Sequence, residues 1–96
     1  MRIVVLRTLQ EQIQGLQHVK PIPDNTILVF PGIAAGAVFH SRNVREPFDI
    51  AFLDKTYSVL KKETVTPEAG TATAPPGTAH VIEARAGLFS RPGVVA

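Results

Sequence analysis

Residues 39–54, FHSRNVREPFDIAFLD, decide the fold of this chain. A charged approach (Arg42, Arg45, Glu46) runs into Pro47. Proline has no N–H to give to a ladder, so it belongs at a strand start or a sheet edge. Alternation follows at once. Phe48, Ile50 and Phe52 point to one face, and Asp49, Ala51 and Leu53 to the other. The strand stops at the turn Asp54-Lys55-Thr56, and residues 57–66 return as the second arm of a hairpin.

On the N-terminal side, residues 2–6 (RIVVL) are β-branched and apolar and read as a strand. Thr8-Leu9-Gln10-Glu11 matches a capping box: the Thr hydroxyl takes an orphan backbone N–H while Glu11 reaches back to the Thr8 N–H. The box opens a helix predicted over 8–17, with Leu9, Ile13 and Leu16 as one apolar stripe. Gly15 weakens its end, and Pro21 biases Lys20 towards an extended conformation. Pro23-Asp24-Asn25 is a turn. Strands follow at 27–30, closed by Pro31-Gly32, and at 37–44. Beyond the hairpin, a loop over 67–70 leads to a short strand at 71–74. The turn Pro75-Pro76-Gly77 precedes a last strand at 79–84. The fold class is mainly β (α+β): a small barrel-like rolled sheet of six or seven short strands, with one N-terminal helix over an open end or edge. No linker or internal repeat divides the 96 residues, so one domain is expected.

Composition narrows the roles. Ten basic and eight acidic residues give a net charge of +2, and no like-charge run exceeds Lys61-Lys62. That is a solvated mixed surface, and no nucleic-acid partner is expected. Arg42, Arg45, Lys61 and Lys62 would cluster only with Glu46, Asp49 and Glu63 among them. With no cysteine, disulfides, thiolate metal sites and cysteine nucleophiles are excluded. The apolar stretch 27–39 is broken by Pro31, Gly32 and Gly36 and falls short of the roughly 20 residues that span a bilayer. The opening MRIVVLR is too short for a signal-peptide core before Arg7. A cytoplasmic location, or a virion assembled there, is expected.

The candidate chemistry is sparse. Asp49 with Arg42 or Arg45, joined by Asn43, forms either a ligand-binding polar cluster or an ion pair that fastens the sheet corner at Pro47. Phe39, Phe48 and Phe52 are the candidate aromatic lining of a pocket. His18, His40 and His80 lack any HxH, HxxxH or HExxH spacing, so no metal and no cofactor is expected. Ser41, Ser58 and Ser90 lack a Gly-x-Ser-x-Gly elbow. Asp49 and Asp54 fall on opposite faces of a strand and make a poor acid–base pair. The PGIAAG and PPGT segments precede strands and offer no helix N-terminus to an anion. No enzyme is indicated.

Four separated motifs carry a resemblance. QGLQ (14–17), NTILVFP (25–31), FHSRNVREPFDIAFLD (39–54) and VIEARAG (81–87) fall in order along nearly the whole chain. The chain resembles the domain of unknown function 192 family. QGLQ stands where that family has Gly-Leu-Met. FHSRN followed by PFDI stands where it has Phe-Trp-Met-Lys-Asn-Thr and then Pro-Leu-Asp-Ile. VIEARAG stands where it has Leu-Glu-x-x-x-Gly. Phe39, Arg42, Asn43, Pro47, Asp49 and Asp54 match its polar signature, whereas His40, Ser41 and Gln17 replace a tryptophan and two methionines. The resemblance implies a compact β-rich fold with one short helix and supplies no activity. It also implies a further closing strand after the last Gly, which is expected to be missing here, leaving an open sheet edge.

Two roles follow. The first is a non-enzymatic interaction or structural module that docks onto a larger assembly or self-associates, as a virion accessory or capsid-decorating protein would. A free edge would pair with its protein partner or a second copy, with Leu88, Phe89, Val94 and Val95 as apolar tail anchors. The alternative is a small-molecule binding protein with a pocket lined by the three phenylalanines.

Overall fold

The computed structural model describes residues 1–17, 21–67 and 70–91. In chain order the elements are β1 (Arg2–Val5), α1 (Leu9–Gln14), β2 (Thr26–Pro31), β3 (Val38–His40), β4 (Phe48–Leu53), β5 (Val59–Val65), β6 (Thr71–Thr73), β7 (His80–Arg85) and a 3-10 turn, Leu88–Ser90. The fold is mainly β, with seven strands and one short α-helix among the described residues. Five strands form one sheet in the order β1-β2-β7-β4-β5, and β3 pairs with β6 in a second. The sheets do not close into a barrel. The β1–β2 pair is parallel and the other pairs are antiparallel.

β4 lies between β7 and β5 and is buried at all six positions. Its alternation feeds two cores. Phe48, Ile50 and Phe52 join Phe30, Val81, Leu6, Leu16 and Ile22 on one face, with Ala72 and Ala74 packed there too. Ala51 and Leu53 join Ile27, Ala84, Leu88 and Phe89 on the other. A strand buried on both faces reads as a near-continuous apolar run, and each buried large side chain contributes about 2 kcal/mol.

The helix is shorter than 8–17. Thr8 is its N-cap and the reciprocal capping box forms, but Gly15 (φ 47°) ends it after six residues. The expected stripe does not pack as one face. Leu9 and Ile13 are exposed (74% and 62%), and only Leu16, beyond the helix end, is buried. Gln12 anchors the helix instead, its amide donating to the carbonyl of Leu6 at 2.9 Å. The strand expected at 37–44 shrinks to three residues, because residues 41–44 turn with Asn43 in the left-handed region (φ 61°) and the Val44 N–H on the Ser41 carbonyl.

A candidate ligand cavity floored by Glu83

Glu83 lies mid-strand in β7, level with Leu28 of β2 and Ile50 of β4. Period-2 alternation therefore turns its side chain to the first, apolar core. Only 4% of the residue is exposed, and no hydrogen bond or ion pair reaches its carboxyl among the described residues. Taking a carboxylate out of water without a partner favours the neutral form. Burial accordingly pushes the Glu83 carboxyl up from 4.5 to about 8. At neutral pH it is a protonated acid, with one O–H donor and free acceptor positions.

The carboxyl lines a cavity of about 260 Å³ between the end of α1 and β3. Phe30, Phe39 and Phe48 also line it. Phe30 and Phe39 meet edge to face, 5.4 Å between centroids at 84°, and Phe39 meets Phe52 at 6.1 Å. The lips are apolar and exposed: Ile13 from α1 and Val38 from β3. Gly15 presses its backbone onto the site. A Cβ there would come within 3.5 Å of the Phe30 ring and 3.7 Å of Glu83 Oε1. Gly15, Leu16 and Glu83 also line a second cavity of about 180 Å³, with Arg2, Ile22 and Leu28. An unpartnered acid among aromatic walls can bind a polar group on an otherwise apolar molecule.

The expected polar cluster does not assemble. Asp49 is buried on the opposite face, and its carboxylate is taken up within the fold. Thr64 donates to Oδ1 at 2.7 Å, and the N–H groups of Gly87 and Phe89 donate to Oδ2 at 2.8 and 3.3 Å. It therefore fastens the 3-10 turn and pairs with neither Arg42 nor Arg45. Both arginines are exposed and make no ion pair among the described residues. Asn43 donates to the Gln17 side chain at 3.1 Å, not to the backbone. Lys61 and Lys62 face opposite sides of β5, opposite Phe52 and Ala51, so no basic patch forms.

Of the aromatic lining, Phe39 and Phe48 reach the cavity, while Phe52 is buried behind Phe39. Leu88 and Phe89 cannot serve as tail anchors, because they are 1% and 3% exposed within their own domain. Val94, Val95 and His18 lie outside the described residues. His40 lines the cavity, and its Nδ1 accepts from the Arg42 N–H at 3.2 Å. His80 is elsewhere, stacked on Tyr57 at 4.5 Å. No group of three potential metal ligands gathers among the described residues, and none of their helices is long and apolar enough to cross a membrane.

Ser41 makes a separate buried knot. Its hydroxyl donates to the Thr66 carbonyl at 2.7 Å and accepts from the Gly70 N–H at 2.8 Å.

These features define a small mixed-sheet domain with a half-open, partly aromatic cavity over one buried acid. The chain belongs to the DUF192 family, described as an uncharacterized ACR, whose model matches residues 1–96. Among solved structures it is similar to a protein of unknown function from Novosphingobium aromaticivorans, with a TM-score of 0.83 and 28% identity over 98% of this chain and 69% of that one. It is also similar in fold to a putative transcription regulator from Sinorhizobium meliloti, with a TM-score of 0.82 and 18% identity over 96% of this chain and 74% of that one. No curated protein matches it.

All four of the family motifs meet at this cavity. Gly15, Leu16 and Gln17 come from the first, Phe30 from the second, Phe39, His40 and Phe48 from the third, and Glu83 from the last. Sequence reasoning passed over Glu83. The signal was its place two residues after Val81, on the face that alternation assigns to the core.

Proposed function

We propose that this protein binds a small molecule in the cavity between α1 and β3, with Glu83 as its polar contact. The observation that carries this reading is a carboxyl on a residue 4% exposed, without a partner among the described residues, lining a cavity with aromatic walls and a rim of glutamines and His40. A carboxyl held in that position offers its donor and acceptor to whatever enters the cavity, and a ligand that hydrogen-bonds it gains a partner shielded from bulk water. A cavity of about 150 Å³ already admits benzene, so about 260 Å³ suits a molecule of one ring with substituents. Binding, rather than catalysis, fits a single acid with no nucleophile or second titratable group beside it, among the described residues, except His40.

A thermal-shift screen of polar aromatic and alicyclic metabolites tests this. A ligand at a hundred times its Kd adds about 3 kcal/mol. In a domain of this size that raises Tm on the order of 10 °C. Val38→Trp, a substitution on an exposed lip, should abolish the shift while leaving the unliganded Tm unchanged. Hits that stabilise V38W equally would place binding elsewhere and remove the reading.

A second reading, docking onto a protein partner or self-association in the cytoplasm, is favoured by one observation. β1 is an edge strand with Ile3 62% exposed, and such an edge can accept a further strand. Sedimentation of the wild type and an Ile3→Lys variant tests it. A wild type that is monomeric at high concentration, and finds no partner in its own cell extract, would dismiss it.

A further inference from the structure

We propose that the ligand is a compact organic cation, an ammonium or guanidinium head on an apolar body, whose head seats on Glu83. This rests on the cavity being a binding site.

The charges around the carboxyl argue for a cation. Among the described residues Glu83 is the one acid lining the cavity, and no lysine or arginine lines it. His40, from β3, is the other titratable group there among them. Arg2 of β1 borders only the second cavity, and no ion pair joins it to Glu83. Arg85, two residues along β7, is exposed. Glu63 of β5 lies on the same face beyond Ile50, bonded to Lys61 at 2.8 Å. Asp49 belongs to the other face. An anionic ligand would thus meet an acid with no compensating base among the described residues, whereas a cation would convert that acid into its counter-ion.

The walls agree. The faces of aromatic rings attract cations, more strongly when desolvated. Phe30, Phe39 and Phe48 line the same cavity as the carboxyl. A neutral hydrogen-bonding ligand would satisfy Glu83 but gain nothing from the ring quadrupoles. The cation requires the ionised acid, so binding releases the Glu83 proton and should tighten as pH rises towards about 8.

Calorimetric titration of the wild-type protein with benzylammonium and with benzyl alcohol, at pH 6 and pH 8, tests this. Benzylammonium should bind at least tenfold more tightly than benzyl alcohol at pH 8. Its affinity should fall roughly fiftyfold at pH 6, where only about one Glu83 in a hundred is ionised. His40→Gln should preserve that fall, which excludes repulsion by a protonated His40 as its source. Glu83→Gln should bind the two probes alike. Benzyl alcohol binding as well as benzylammonium in the wild type would overturn the cation while leaving the cavity reading intact. Binding of neither probe, with no hit from the thermal screen, would end both. The wild-type comparison needs no variant, so it stands even if E83Q folds poorly.

Discussion

Replacing Glu83 with Gln should make the protein more stable at neutral pH, by an amount that depends on pH in a defined way. In the unfolded chain this carboxyl titrates near 4.5, and in the fold at about 8. Between those values the folded state holds a proton that the unfolded state has lost. Stability therefore falls as pH rises through this window, by about 1.4 kcal/mol for each pH unit. The penalty is absent below pH 4.5, reaches about 3 kcal/mol at pH 7 and levels off near 5 kcal/mol above pH 8. Against a net stability of about 5–15 kcal/mol for a domain, that is a large fraction. Glutamine keeps the shape and a hydrogen-bonding head but does not titrate. Urea unfolding of both proteins at pH 4.5, 7 and 8.5 isolates the effect, because every other titrating group cancels in the difference. The difference should grow by about 3 kcal/mol from pH 4.5 to 7. A difference constant within 1 kcal/mol would mean that Glu83 is solvated or paired, and the argument from its burial would fail.

Three further substitutions probe the frame around the cavity. Asp49→Ala removes the acceptor for Thr64, Gly87 and Phe89, and should cost about 3 kcal/mol or more while exposing the Gly87 and Phe89 amides to exchange. A loss under 1 kcal/mol would show that those bonds do not hold the 3-10 turn. Ser41→Ala strands the Thr66 carbonyl and the Gly70 N–H in a buried knot, and should lower denaturant stability by about 2 kcal/mol. Thr8→Ala breaks the capping box of a six-residue helix, for about 1 kcal/mol, and should speed exchange of the Glu11 amide before that of β4. Unchanged Glu11 protection would assign the hold on α1 to Gln12 instead.

Period-2 alternation made β4 legible to the residue, and the same rule with Pro and Gly punctuation located all seven strands. The capping box at Thr8 was equally readable, because its contacts are local. What failed was long-range. The stripe of Leu9 and Ile13 has helical spacing, yet a helix stopped by Gly15 after six residues lays only Gln12 and the following Leu16 inward. Asp49 and the arginines share one stretch of sequence, but the strand turns the acid towards Gly87, 38 residues on. Leu88 and Phe89 looked like a free tail because nothing local shows that β4 and β7 leave an apolar face for them. Glu83 was hidden by habit: a glutamate in a strand is read as solvent-facing, although its parity with Val81 and its central strand place it inside.

The cavity itself is tested most directly by NMR of protein carrying carbon-13 in its Glu, Phe, Tyr, Ile, Leu and Val side chains, titrated with the best hit of the thermal screen. Binding over Glu83 predicts that the Glu83 carboxyl carbon moves together with the Phe39 ring and the Ile13 and Val38 methyls, while Leu88 and Phe89 stay fixed. Saturable binding that moves none of these four, and instead shifts Ile3 at the β1 edge or Tyr57 beside His80, would contradict it.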